Sequence, residues 1–266
     1  MISPLTFDLL EDVMELPQDE CNQVLAKTEI EDIGPLVETL YSNYDEATNH
    51  LQRLLPSPET EALYRILRDA NFDQPQQDLA VIAHKIEFAR APQTKEQFGS
   101  RFWQAYCMRM QSAAKSAGLD LGFAQGLVAS LDEMASNAVE HSEQPGTTMV
   151  GYKWSDSGFE YVIADSGIGV LRSLQLAAEY KSVADAGEAL DIAIQSGESR
   201  YGKGSGRGLG FDKLVVNIAR RNSRLRFRSG DYSLTLDGLS PPVTKTIRSC
   251  SDFEGFLISI KCFLSH

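Results

Sequence analysis

Apolar residues recur at two different periods along the chain, and the change of period divides it. In the first third they fall at helical spacing, as in Leu36 and Leu40 and again in Leu63, Ile66 and Leu67. "LPSPET" and "DQPQQD" interrupt that pattern, and Pro58 and Pro75 are placed to open helices, since a first turn tolerates proline. Beyond "RAPQTKEQFGS" the pattern predicts helices at about 100–117 and 122–142, broken by "AGLDLG". Strands at 148–154 and 159–164 come next, joined by the turn "SDSG". Residues 171–203 are mixed, with a helix expected over Ala186–Gln195, and "LGFDKLVVNIARR" predicts a further helix. "RLRFRS" and "YSLTLDG" alternate with period two and read as paired strands with Gly230 in the turn. "GFLISIKCF" supplies a last strand, and "GLSPPVTKTIRSCSDF" before it reads as an insertion that covers an edge or carries a partner site. The expected organisation is a small helical domain over residues 1–95 and an α+β domain over 96–266, in which helices lie on one face of an antiparallel-rich sheet.

Composition narrows the function classes. A chain of 266 residues with 42% apolar content can build a sizeable core. The net charge of −12 argues against bulk attraction to nucleic acid or to an anionic membrane. The helical segment is especially acidic (Asp8, Glu11, Asp12, Glu15, Asp19, Glu20), which suits a packing or partner-binding bundle. No apolar run approaches the roughly 18 residues of a spanning helix, and the first residues lack a signal-peptide pattern. The four cysteines show no C-x-x-C pairing, so neither a zinc site nor a disulfide framework is expected, and the setting expected is cytoplasmic. Arg224, Arg226 and Arg228 alternate onto one strand face, where pairing with acids or capping of a helix outweighs nucleic-acid contact.

Three stretches carry candidate chemistry. In "LDEMASNAVEH", Glu133 and Asn137 are four apart and share a helix face; His141 continues the line and Ser130 sits one turn before it. A separate stripe of Leu127, Leu131, Met134 and Ala138 faces a core. The polar stripe reads as an ordinary wet face or as a catalytic one. An amide oxygen can ligate Mg²⁺, and a carboxylate one turn away can orient and deprotonate a water attacking a phosphate.

In "EYVIADSGIGV", Asp165 stands where a buried strand gives way to a glycine turn. An ionised carboxylate only accepts hydrogen bonds, so a buried one selects a donor such as the exocyclic amino group of adenine. Gly167 and Gly169 let backbone approach a flat ring. The same residues also spell an ordinary turn.

The third stretch is "GKGSGRGLGF". It fails as a P-loop because Gly204 stands where the magnesium-binding hydroxyl is required, and it fails the Rossmann spacing. Its glycines, Gly204, Gly206, Gly208 and Gly210, alternate with Ser205, Arg207 and Leu209. Backbone N–H groups in such a run line an anion-binding concavity that opens onto a helix N-terminus. Lys203 and Arg207 add charge beside it, and the glycines form a hinge for a lid over 171–203.

Taken in order, an E-x-x-x-N helix, a D-x-G-x-G turn, a variable lid and a G-x-G-x-G loop resemble the GHKL superfamily over about residues 100–266. The resemblance implies a Bergerat α/β sandwich binding ATP with Mg²⁺. Glu133 would match the catalytic acid, Asn137 the magnesium ligand, and Asp165 with Gly167 and Gly169 the adenine site. Lys203, Gly204, Ser205, Gly206, Arg207, Gly208, Leu209 and Gly210 would match the phosphate loop. In many members the glycine that opens the last strand precedes a Ser or Thr near the adenine; here Gly255 precedes Phe256. The function implied is a slow ATPase that switches a protein partner. The alternatives are an anti-sigma-type serine kinase, whose opening helices residues 101–142 resemble, and a non-catalytic ATP-binding adaptor. His84 imitates a phosphoacceptor histidine faintly, with Lys85 where an acid is needed. A homodimer stays open; a membrane partner is not expected.

Overall fold

The computed structural model describes residues 3–42, 57–61, 63, 85–195, 222–239 and 242–264. Near the N-terminus, β1 (Ser3–Pro4) and β2 (Thr28–Glu29) form a short parallel pair around α1 (Phe7–Met14) and α2 (Gln18–Leu25), and α3 (Ile33–Tyr41) comes after them. Seven further strands make one sheet: β3 (Ile86–Arg90), β4 (Met149–Ser155), β5 (Gly158–Asp165), β6 (Ser223–Ser229), β7 (Tyr232–Asp237), β8 (Thr244–Ser249) and β9 (Phe256–Phe263). Their order is β3-β4-β5-β9-β6-β7-β8, and every neighbouring pair is antiparallel. The remaining helices are α4 (Arg101–Ser116), α5 (Leu121–His141), α6 (Gly169–Gln175) and α7 (Ala186–Ala193). The molecule is thus an α+β protein built on a mainly antiparallel sheet.

The two long helices start and stop where local chemistry dictates. The Ser100 hydroxyl accepts from Trp103 N at the start of α4, and Asp120 Oδ1 accepts from Phe123 N at 2.9 Å at the start of α5. Each such cap contributes about 1 kcal/mol. Between them Gly118, at φ +89°, ends α4 in the left-handed conformation, with Leu119 N reaching back to Ala114 O. "AGLDLG" is therefore a C-cap and an N-cap joined.

Alternation along the strands sorts the core into two layers. On β5, Phe159, Tyr161 and Ile163 join one cluster with Trp103, Tyr106 and Met110 of α4 and Leu127, Leu131 and Met134 of α5. Val162 and Ala164 face the other way, onto Leu36, Val37 and Leu40 of α3. All eight residues of β5 are buried, which is why the segment reads as a nearly unbroken apolar run.

The structure corrects two expectations. Helices cover both faces of the sheet: α1 and α3 occupy the second face, which a period-two reading scores as wet because it carries Glu160, Arg226 and Arg228. Those polar groups are buried and paired. Residues 86–90, read as part of the helical segment, form the edge strand β3, buried throughout. Five residues covered on both faces show no period. At the opposite edge, the expected insertion contains β8, exposed at all six positions and paired to β7. Pro58 opens a helical turn as expected, with Ser57 Oγ accepting from Thr60 N at 3.1 Å.

Candidate functional site

Asp165 ends β5 and is fully buried. Its Oδ1 accepts from Gly167 N at 2.8 Å, closing the turn, while Oδ2 has no hydrogen-bond partner among the described residues. Loss of hydration pushes the carboxyl up to about 7, against the opposing pull of the Gly167 and Phe256 amides. A half-satisfied buried carboxyl is costly, and native proteins keep few of them without a reason.

The surrounding backbone leaves no slack. A Cβ on Gly167 would stand 2.3 Å from Ser142 O, the carbonyl just past α5. Ile168 N donates to that same carbonyl at 2.9 Å, so the turn is bolted to the last turn of α5. Ser166 N donates to Thr147 Oγ1 at 3.0 Å. Gly169 opens α6, where Val170 N donates to Ser229 Oγ at 2.9 Å and Ser229 Oγ donates to Gly255 O at 2.7 Å. Gly255 belongs to the site in its own right, although the sequence motif marks it only as the residue before Phe256. It has φ +83°, and a Cβ there would lie 2.0 Å from Asp165 O. The acid is held by three segments distant in sequence, none of which a local motif joins.

Helix α5 carries the expected polar stripe and meets this turn at its C-terminal end. Glu133, Asn137 and His141 are half-buried, while Leu127, Leu131, Met134 and Ala138 are buried in the core as expected. Ser130 leaves the stripe: its hydroxyl donates to Leu127 O at 2.8 Å and bonds Tyr161 OH at 2.7 Å, pinning α5 to β5. The connection between Ile168 and Ser142 brings the C-terminal end of the Glu133–Asn137 helix to the Asp165 turn.

Lys203, Gly204, Ser205, Gly206, Arg207, Gly208, Leu209 and Gly210 lie outside the described residues, as does His84. Of the expected lid, residues 171–195 are built onto the sheet. Leu174, Tyr180, Val183 and Ala189 pack together, and Leu190 enters the main core. A Cβ on Gly187 would meet the Tyr232 ring at 2.8 Å, so α7 sits close on β7.

The arginine stripe on β6 points to the other face and is consumed by acids. Arg226 binds Glu38 and Glu11, each at 2.7 Å, Arg228 binds Glu38 at 3.0 Å, and Arg224 binds Asp237 at 2.7 Å. A polar groove of about 450 Å³ opens there, between α1 and strands β6 to β9. Glu160 lines it and accepts from Ile33 N and Gly34 N, each at 2.8 Å, capping α3. Among the described residues, no helix is long and apolar enough to cross a membrane.

No family model, no curated protein and no solved structure matches the chain.

Proposed function

We propose that the protein binds ATP with Mg²⁺ in a GHKL-type pocket of a Bergerat-like sandwich, hydrolyses it slowly, and uses the bound nucleotide to switch a protein partner. One observation carries this reading: Asp165 is buried, held rigidly by its backbone neighbours, and keeps one carboxylate oxygen unpartnered among the described residues. That oxygen suits the amino group of adenine, a donor that would complete the acid's hydrogen bonding.

Helix α5 supplies the remaining groups. The Asn137 amide oxygen would help hold Mg²⁺, an ion that takes few protein ligands beside phosphates. When bound, Mg²⁺ neutralises charge on the phosphate oxygens. Glu133, one turn earlier on the same face, orients the attacking water and takes its proton on a carboxylate oxygen. The acidic N-terminal helices, packed against the same sheet, are the candidate partner surface.

Incubation of the full chain with γ-labelled ATP, alone and with cell extract, tests the reading. Release of free phosphate without labelled protein is expected. Label on a second protein would replace hydrolysis with the serine-kinase reading, and binding without either would leave an ATP-responsive adaptor. Failure to bind ATP at all would end the proposal.

A further inference from the structure

Asp165 is not the only buried group near the turn that lacks a partner. The Thr148 side chain is fully buried, and its Oγ1 has no hydrogen-bond partner among the described residues. Thr148 has extended backbone (φ −69°, ψ 127°), and its carbonyl accepts from Ala91 N at 3.1 Å, so it continues β4 by one residue. The β4–β5 register pairs Met149 with Ala164. One step further sets Thr148 directly opposite Asp165.

Alternation fixes the face. Val150 and Tyr152 on β4, and Tyr161 and Ile163 on β5, point into the layer beneath α4 and α5. Thr148 and Asp165 continue those two series, so both side chains leave the sheet on the α5 side. Phe256 pairs with Asp165 from the other neighbour and packs against the same layer. Three adjacent strands therefore end in a row, Thr148, Asp165 and Phe256, on one face. Directly opposite residues have Cβ atoms about 5 Å apart. Thr148 and Asp165 are thus close neighbours, yet the hydroxyl and the free oxygen do not bond each other. Two side-by-side polar atoms left unsatisfied in a packed interior are costly, and one ligand edge bearing both a donor and an acceptor would satisfy them together.

We infer that Thr148 is a second base-reading residue, donating its hydroxyl to a ring nitrogen beside the amino group that Asp165 accepts from. The inference rests on the ATP-binding reading above and names the residue that would help select adenine within it. Adenine carries such a pair on either side: the amino group is flanked by N1 and by N7, both acceptors. Guanine places a carbonyl where the amino group stands, and would set an acceptor against the Asp165 carboxylate. Because the hydroxyl comes from β4, it stands on the opposite side of Asp165 from Phe256, the position that carries no hydroxyl.

The test is calorimetric binding of ATP, 1-deaza-ATP and 7-deaza-ATP to the full wild-type chain, Thr148→Val and Thr148→Ser. Thr148→Val keeps the shape and removes the donor, and is expected to bind ATP about tenfold more weakly, the effect of one buried hydrogen bond. Thr148→Ser keeps the donor and is expected to bind within about twofold of wild type. One of the two deaza analogues should bind wild type about tenfold more weakly than ATP and lose nothing further on Thr148→Val, because both changes delete the same bond. Melting temperatures separate loss of contact from loss of fold, and Thr148→Val is expected to melt no lower than wild type. The analogue series on wild-type protein needs no variant to fold. If wild type binds ATP and Thr148→Val binds it equally, or if neither analogue is discriminated, the assignment of Thr148 fails while the nucleotide site stands. If wild type binds no ATP, the site and this inference fall together.

Discussion

Glu38 and Arg228 meet in the interior between α3 and β6, with Arg228 Nε donating to Glu38 Oε1 at 3.0 Å. Arg228 is only 1% exposed, and its other guanidinium nitrogens reach the carbonyls of Gly230, Tyr232 and Ser251. Glu38 also takes both a 2.7 Å and a 2.8 Å bond from Arg226. Glu38 thus pairs with two buried arginines, with Glu11 as the second carboxylate on Arg226, and fastens the N-terminal helices to the sheet. Its removal would leave buried positive charge uncompensated. Glu38→Ala should lower unfolding stability by about 3–5 kcal/mol, read from the urea midpoint. Arg224→Ala, which breaks only an exposed pair with Asp237, should change it by less than about 1 kcal/mol.

The Asp165 carboxyl gives stability a definite pH dependence. Its folded-state pKa, about 7, lies above that of an exposed aspartate. The stabilising share is full below the unfolded value and is lost as pH rises through about 7. Glu160 is raised too, first by burial and then by Asp32 beside it, and acts in the same direction. Chemical unfolding at pH 5 and pH 8 should show wild type less stable at pH 8 by about 5 kcal/mol, roughly half from each carboxyl. Asp165→Asn should show a smaller fall, with the Glu160 share remaining.

Gly255 supports the acid from behind. Its φ of +83° and the 2.0 Å approach of a hypothetical Cβ to Asp165 O leave no room for a side chain. Gly255→Ala should destabilise the fold by about 2 kcal/mol or more, measured as a lower melting temperature. Gly146→Ala serves as comparison, since nothing lies within 4 Å of a Cβ there. It should shift stability by no more than about 0.5 kcal/mol.

Glu133 separates binding from turnover. It lies nine residues, about two and a half helical turns, before Ser142, where Ile168 joins the end of α5 to the Asp165 turn. Glu133→Ala should bind ATP within about threefold of wild type and release phosphate at least about 100-fold more slowly. Phosphate-release assays and calorimetry on one preparation check both halves.

Much of the fold is legible in the chain itself. The long helices, the strands β4, β6, β7 and β9, and the core stripe of α5 show in the period, because each is long enough to repeat, while β5, apolar on both faces, shows as a nearly unbroken apolar run. The capped break between α4 and α5 is visible as "AGLDLG". Polar burial is not legible. The sequence suggests that the arginine stripe pairs with acids but not that it is buried, and the bonds of Glu160 to Ile33 N and Gly34 N and of Arg226 and Arg228 to Glu38 and Glu11 show a second buried layer. β3 and β8 are short strands whose residues are uniformly buried or uniformly exposed, so neither carries an alternation. At the site, Asp165, Gly167 and Gly169 stand out by motif. Thr148 and Gly255 do not, since they join the acid through strand register and close packing, which sequence spacing does not encode. Ser130 reads as part of the polar stripe because a hydroxyl at helical spacing looks alike whether it meets water or Tyr161.

The most direct measurement is calorimetric titration of ATP into the wild-type chain and into Asp165→Asn, with Mg²⁺ present. The Asn amide presents a donor group where the carboxylate offers only acceptors. Saturable binding to wild type, weakened at least tenfold in a variant that melts as high or higher, is the expected result. Equal affinity in the two proteins, or no binding to wild type, would contradict an adenine site at Asp165.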